Sequence, residues 1–177
     1  MLKYLFLLGL ILTTPLGNAQ SSKEKSEDIV GLYFGRHLDK FEETSKSKVK
    51  MRDSFNRNDH NLVFLWASWC AVCKKVMPNF DKVMTSYSKC GVNHNYIAVS
   101  DKPEAAYTSL NELNIHKGTL VDQNATLRKF LNLQLLPMVL IVNRDGFVTE
   151  AHAGGKGSQE IIKRYKGLFE GKECVVK

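Results

Sequence analysis

Residues 62–78 read LVFLWASWCAVCKKVMP, and this stretch decides the fold. The apolar run from Leu62 to Ala67 is typical of a strand that is buried on both faces. After Cys70 the apolar residues recur at spacings of three and four, which predicts one face of a helix. They are Cys73, Val76, Met77, Phe80, Val83, Met84 and Tyr87. The stretch therefore predicts a buried strand that leads directly into an amphipathic helix, which ends near Gly91.

Strands and helices are predicted to alternate along the rest of the chain. The further predicted strands are 96–99, 138–142 and 147–151. The further predicted helices are 103–114, 122–131 and a last one that Ser158 caps and Gly171 ends. Residues 143–146 (NRDG) form a strong hairpin-turn signal, so the final two strands are antiparallel. The order predicts an α/β fold with helices on both faces of a mixed sheet.

Length and composition exclude several classes of protein. The 177 residues carry 25 Lys and Arg against 18 Asp and Glu, a formal charge of +7. This length suits one domain, and a hydrophobic fraction of 44% excludes a disordered or fibrous chain. The basic residues are spread along the whole chain without a nucleic-acid-binding motif. We therefore expect no nucleic-acid partner and a monomer with a solvated basic surface.

The N-terminus is typical of an export signal. Lys3 supplies a positive charge, a short apolar run follows, and small residues precede a cleavage site near Ala19. An uncleaved N-terminal anchor is the alternative. We interpret 1–19 as a signal peptide, 20–58 as a partly flexible N-terminal extension and 59–177 as the folded domain. The mature protein is then periplasmic or secreted.

The pair Cys70-Ala71-Val72-Cys73 fits either redox chemistry or metal binding. A structural zinc site needs four ligands, usually from two close pairs, and the other two Cys are isolated in the sequence. The histidines are also scattered, and we expect them on the surface: His60, His94, His116 and His152. The sequence therefore favours a redox pair, with no metal and no cofactor.

A helix that starts at Cys70 gives that residue a physical reason to react. Unpaired backbone N–H groups and the helix dipole stabilise an anion at a helix N-terminus. We therefore expect the pKa of the Cys70 thiol to lie below its ordinary value, and the thiolate is the species that attacks a disulfide. Cys73 lies one turn further along the helix and is placed to resolve a mixed disulfide on Cys70.

Residues 63–78 resemble the active-site segment of thioredoxin-like proteins. Pro78 matches the helix-kinking proline of that family, and Leu136-Pro137 with the strand after it resembles the second family signature. The resemblance implies a three-layer α/β/α sandwich in which the bond before Pro137 is cis and faces the Cys pair. The export signal and an extra segment near 115–128 make the chain most similar to the exported TlpA-like thiol–disulfide oxidoreductases.

The resemblance also implies a function. Such a protein reduces disulfide bonds in other proteins and receives electrons from a membrane donor. Cys70 and Cys73 would be catalytic, and Trp69, Leu136 and Pro137 would contact the substrate. Trp69 can equally be a packing residue. Leu136 could belong to the core, but the resemblance favours substrate contact. A disulfide oxidase or isomerase, or a redox-inactive binding module, remains an alternative.

Two positions depart from the family pattern. Phe64 stands where thioredoxins carry a buried Asp, and Val76 stands where some exported reductases carry a Glu. No acid is therefore visible beside Cys73. The dipeptide Ala71-Val72 matches neither thioredoxin nor the strong oxidase DsbA, and we expect an intermediate or low potential.

Cys90 and Cys174 form a separate hypothesis. Cys90 follows the active-site helix and Cys174 follows the last helix. In a thioredoxin-like sheet these helices lie side by side and run the same way, so the resemblance places their C-terminal ends together. A structural disulfide is the prediction, and two free, partly buried Cys are the alternative.

Overall fold

The computed structural model describes residues 29–35, 55 and 60–174. Its strands are β1 (His60–Trp66), β2 (Val92–Val99), β3 (Thr119–Asp122), β4 (Met138–Val142) and β5 (Val148–Ala153). Its helices are α1 (Ala71–Ser86), α2 (Pro103–Glu112), α3 (Thr126–Phe130) and α4 (Gly154–Phe169), with a 3₁₀ turn at Ser88–Cys90. The signal-peptide prediction for 1–19 lies outside the described residues. No helix within the described ranges is long and apolar enough to cross a membrane.

The five strands form one mixed sheet in the order β3-β2-β1-β4-β5. β1 lies at its centre, parallel to β2 and antiparallel to β4. β2 pairs in parallel with β3, and β4 pairs antiparallel with β5. The predicted mixed sheet with antiparallel final strands is confirmed.

Alternate side chains of β1 enter two separate apolar cores. Phe64 and Trp66 pack on one face with residues of α1, α2 and α4. Val63 and Leu65 pack on the other face with residues of α3. All four side chains are fully buried, as the continuous apolar run predicts. The result is the predicted α/β/α sandwich, in which β1 is fixed from both sides.

Two elements differ from the sequence prediction. β3 was not predicted, because four residues at a sheet edge carry little periodic signal. The last helix begins at Gly154 rather than at a Ser158 cap. Ser158 is instead buried in the second turn, where its hydroxyl donates to the Gly154 carbonyl.

Part of the N-terminal extension packs against the domain. Gly31 donates its N–H to Val148 at 2.8 Å, and Val148 donates its own N–H to Leu32 at 3.0 Å. Phe34 and Phe55 are fully buried in the α3-side core. These described residues of the extension therefore form an isolated bridge at the start of β5 and help to close the second core.

Candidate active site

The end of β1 and the start of α1 position the two cysteines. Cys70 is the N-cap of α1, and its Sγ accepts the backbone N–H of Cys73 at 3.2 Å. The two residues form a disulfide with Cα atoms 5.2 Å apart. Cys70 keeps 8% of its surface exposed whereas Cys73 has none. Of the two residues only Cys70 therefore reaches the surface, and it lies where the helix N-terminus favours negative charge.

Asp101 holds the loop that carries the pair. Its carboxylate accepts the Ser68 backbone N–H at 2.5 Å and the Ser68 hydroxyl at 2.8 Å. The same carboxylate accepts the Lys102 N–H at 2.9 Å. Asp101 is only 7% exposed, so these bonds form in a partly dry environment, where charge-assisted hydrogen bonds are strong. Sequence reasoning missed this residue, because a lone Asp after a strand carries no motif.

Trp69 forms an exposed aromatic wall beside Cys70. Its side chain is 57% exposed, while its Nε1 donates to the Ser100 carbonyl at 3.3 Å. The guanidinium carbon of Arg128 lies 6.0 Å from its ring centroid, within cation–π range. The ring is thus held in place although it is not buried. This geometry favours a contact surface over a packing residue.

Pro137 lies beside the cysteine loop. Leu65 of β1 pairs with Met138, which places Pro137 at the end of the sheet where α1 begins. The Leu136-Pro137 peptide bond is cis, as expected from the resemblance. Leu136 is half-buried and packs against both cores, and its contact with a substrate stays a prediction. The structure therefore brings Trp69, Cys70, Leu136 and Pro137 to one end of the sheet.

The start of α4 connects these two loops. Gly154 donates its N–H to the Pro137 carbonyl at 2.7 Å. A Cβ at Gly155 would lie 3.0 Å from Cγ1 of Val72, the second residue of the dipeptide between the cysteines. Glycine at 155 thus allows α4 to approach the Cys pair closely, a role that the sequence did not indicate.

The surroundings of Cys73 are apolar. Phe64 and Val76, the two positions that depart from the family pattern, belong to the same buried cluster as Cys73. Asp81 is on the same helix, but it comes eight residues later. At 1.5 Å of rise per residue it lies about 12 Å along the axis from Cys73. Asp81 therefore does not replace the missing acid.

Asp81 instead forms a polar cluster with two residues of β2. The Tyr96 hydroxyl donates to its Oδ1 at 2.9 Å, and Nε2 of His94 lies 3.0 Å from the same oxygen. The prediction of a surface position for His94 is wrong, since its side chain is 3% exposed. β2 is buried along nearly its whole length, His94 included, and Asp81 provides the partner that a buried imidazole needs.

Burial and charge set the protonation states of this cluster. Burial lowers the pKa of His94 below its ordinary value, and Lys117 adds to this effect, while the hydrogen bond to Asp81 opposes it. Burial alone would raise the pKa of Asp81, but the hydrogen bonds from His94 and Tyr96 outweigh burial and lower that pKa. A neutral His94 therefore faces an ionised Asp81 at neutral pH.

The second cysteine pair lies at the other end of α1. Cys90 and Cys174 form a disulfide with Cα atoms 4.7 Å apart, within the usual range. Tyr87 and Phe169 stack beside it with ring centroids 5.4 Å apart. The bond joins the ends of α1 and α4, as the parallel packing of these helices requires.

Within the described ranges no three His, Cys, Asp or Glu side chains are grouped to hold a metal ion.

Pro78 lies within α1 and is exposed. It removes one backbone hydrogen bond from the helix, two turns after its start. Pro78 comes five residues after Cys73, and its support of the active site stays a prediction that acts through the course of the helix.

Comparisons with known proteins agree with this geometry. Residues 35–165 match the family model described as Redoxin. The thiol-disulfide oxidoreductase ResA of Halalkalibacterium halodurans is 21% identical over 110 residues, which cover 61% of this chain and 62% of that protein, less than two thirds of its length. The thioredoxin-like protein YneN of Bacillus subtilis is 23% identical over 167 residues, covering 90% of this chain and 95% of that protein.

Solved structures also share the architecture. One is a secreted Mycobacterium tuberculosis disulfide oxidoreductase homologous to E. coli DsbE. It superposes with a TM-score of 0.52 and 18% identity, covering 62% of this chain and 82% of that chain. This likeness shows a common fold.

Proposed function

The chain belongs to the Redoxin family, and from that premise we propose that it is an exported thiol–disulfide oxidoreductase that reduces disulfide bonds in proteins. One observation carries the proposal. A cysteine pair caps a helix at the end of the sheet where an exposed Trp69 and the Leu136-Pro137 loop flank it. This arrangement combines a reactive sulfur with a surface for a polypeptide.

The reaction has two exchange steps. In the reduced protein the Cys70 thiolate attacks one sulfur of the substrate disulfide, and the other substrate sulfur leaves as a thiolate. Cys73 then attacks Sγ of Cys70, and the second substrate sulfur leaves. Two electrons pass to the substrate, and its two thiolates take one proton from the Cys73 thiol and one from solvent. The protein ends with the Cys70–Cys73 disulfide.

The elements around the pair have separate parts in this reaction. The N-terminus of α1 stabilises the Cys70 thiolate, both as attacking and as leaving group. Asp101 and the start of α4 fix the loop. Trp69 and the half-buried Leu136 provide the surface on which a substrate chain lies, and the buried Pro137 shapes the loop beneath it. The cluster around Cys73 is apolar, so its proton passes during the second step to water or to a residue outside this cluster.

Export and electron supply belong to the same proposal. The predicted signal peptide and the secreted relative support a location outside the cytoplasm. Each turnover leaves the pair oxidised, so a donor must return two electrons. For an exported protein we expect that donor in the membrane. Disulfide-containing proteins of the same compartment are the expected substrates.

An insulin-reduction assay tests the activity. The parent protein should accelerate precipitation of the insulin B chain in dithiothreitol, and Cys70→Ser should remove the acceleration. The double variant Cys90→Ser/Cys174→Ser is the matched control and should keep it. A parent protein that is inactive under every reductant would favour the redox-inactive binding module.

The redox potential separates a reductase from an oxidase or isomerase. Equilibration of the Cys70–Cys73 couple with glutathione should give a value well below about −120 mV, the potential of a strong oxidase. A value near that figure would contradict reduction as the physiological direction while leaving thiol–disulfide exchange in place.

A further inference from the structure

A basic hollow opens on the side of Trp69. Its volume is about 400 Å³, and its wall includes Ser100, Arg128, Lys129, Asn132 and Gln134. Ser100 is the residue whose carbonyl accepts the Trp69 indole N–H, and Arg128 is the residue over the Trp69 ring. The hollow, which we define by these five residues, is therefore continuous with the aromatic wall beside Cys70.

Among the described residues, the two basic side chains of the hollow form no ion pair with the carboxylates near them in the sequence. Asp101 and Asp122 are the nearby carboxylates along the chain, and both are buried. The oxygens of Asp122 accept the backbone N–H groups of Thr126, Leu127 and Arg128 at 2.8 to 3.3 Å. The oxygens of Asp101 are engaged by the cysteine loop. Within the described residues, neither Arg128 nor Lys129 forms a salt bridge.

The position of the hollow relates it to a bound chain. Residues 132–134 of its wall lead within two residues to Leu136-Pro137, the loop that flanks the cysteine pair. A polypeptide that lies between Trp69 and this loop has its disulfide at Cys70 and its neighbouring residues at the hollow. Exposed apolar side chains on the same side, Trp69 at 57% and Leu135 at 42%, provide the contact surface. Arg128 and Lys129 lie at the end of that surface without a salt-bridge partner among the described residues, and such cations favour carboxylates.

We propose that the basic hollow selects substrates in which Asp or Glu residues lie next to the disulfide cysteine. This inference rests on the proposed function and adds a substrate class to it. Arg128 and Lys129 are specificity residues: they attract the acidic segment and orient it, while Cys70 and Cys73 do the chemistry. Long-range attraction acts mainly on the encounter rate, so the preference should weaken as salt screens it.

Three disulfide-linked peptides of equal length test the proposal. Their cysteine-flanking residues are acidic in the first, neutral Ser and Gly in the second, and basic in the third. Stopped-flow Trp fluorescence gives the second-order rate of oxidation of the reduced protein by each peptide. In 50 mM salt we expect the acidic peptide to react about tenfold faster than the basic one. In 500 mM salt the rates should converge.

Charge-reversed variants locate the effect. Arg128→Glu and Lys129→Glu should each reduce or invert the preference, and Lys129→Glu leaves the Arg128–Trp69 stack in place. Lys166→Glu, an equal charge change at the far end of α4, is the matched control and should keep it. Circular dichroism and the rate with the neutral peptide show that each variant is folded and reactive.

The outcomes separate this inference from the proposed function. If no peptide oxidises the parent protein, the proposed function fails and the inference fails with it. If the neutral peptide reacts but charge makes no difference, the inference alone is overturned. A preference that survives both charge reversals also overturns it. Cosedimentation of the parent with phosphatidylglycerol vesicles, lost in both variants without any peptide preference, would assign the hollow to a lipid surface instead.

Discussion

Two disulfides mark the two ends of α1, and their surroundings give them different roles. Cys70–Cys73 closes a loop with a separation of 3 residues, whereas Cys90–Cys174 has a separation of 84. The first caps a helix beside an exposed Trp69, and the second is packed beside Tyr87 and Phe169 at the C-terminal ends of two helices. The same bond is thus placed for exchange at one end and for cross-linking at the other. The bond chemistry alone does not determine the role; the helix polarity and the neighbours do.

Removing each disulfide in turn should test most clearly whether the two bonds have different roles. Chain entropy assigns at most about 4–5 kcal/mol to the Cys90–Cys174 bond and about 2 kcal/mol to the short loop. Cys90→Ser/Cys174→Ser should therefore lower the free energy of unfolding in urea by the larger amount, yet keep insulin reduction. Cys70→Ser/Cys73→Ser should abolish turnover and should lower the free energy of unfolding by the smaller amount. Equal losses of stability, or loss of turnover in both, would contradict the division of roles.

Asp101 tests how the reactive end is positioned. In Asp101→Asn one carboxylate oxygen becomes an NH₂ group that faces donors of the cysteine loop. We expect a loss of about 1–3 kcal/mol in unfolding free energy and a slower attack by Cys70. Alkylation of reduced protein with iodoacetamide measures the attack. Asp145→Asn, an exposed residue of the hairpin turn, is the control and should change neither quantity.

In the opposite half of the molecule, His94 should make the free energy of unfolding depend on pH. The pKa of His94 is lower in the folded protein than in the unfolded chain, so the unfolded chain binds more protons between the two values. The contribution of neutral His94 to the free energy of unfolding is fully present above the ordinary His pKa of about 6.5. It is lost as the pH falls through the pKa of His94 in the folded protein. Asp81, Tyr96 and Lys117 face the imidazole, but all three keep their charge state between pH 5 and 7.

Urea unfolding of the parent and of His94→Gln over that pH interval measures the effect. The variant should lose part of the decrease in stability toward pH 5, whatever its absolute stability. His116→Gln is the control, because His116 is exposed and lines the same surface hollow as Asp81 and His94. An unchanged slope in His94→Gln would show that the buried imidazole does not set the acid sensitivity.

Gly155 gives the smallest expected effect, at the reactive end. In Gly155→Ala the new Cβ meets Val72 at 3.0 Å, so Val72 must shift by a few tenths of an ångström. Val72 is 48% exposed and has room to do so, and Ala is favoured over Gly in a helix, so we expect the free energy of unfolding to change by less than about 1 kcal/mol. The shift of Val72 should slow alkylation of Cys70 about two- to threefold. Val72→Ala in the same chain should restore the rate. No rescue would show that the helix start acts on the pair by another route.

The sequence predicted the reactive end better than the rest. A continuous apolar strand, a change to helical periodicity at Cys70 and a proline before a second strand all report on local structure, and the structure has each of them. Asp101 and Gly155 were not predicted, because their roles come from contacts between segments that are distant in sequence. His94 was placed wrongly for the same reason: a partner 13 residues away decides whether an imidazole can be buried. β3 was not predicted, because an edge strand of four residues has little hydrophobic periodicity of its own.

The pKa of the Cys70 thiol tests the central claim most directly. Reduced Cys90→Ser/Cys174→Ser protein, in which only Cys70 and Cys73 remain, can be titrated by thiolate absorbance near 240 nm and by the pH dependence of alkylation. A helix that begins at Cys70 predicts a first midpoint between about 3.5 and 7.5. A first midpoint above about 9 would show that the helix start does not activate this sulfur, and the account of the reactive end would be wrong.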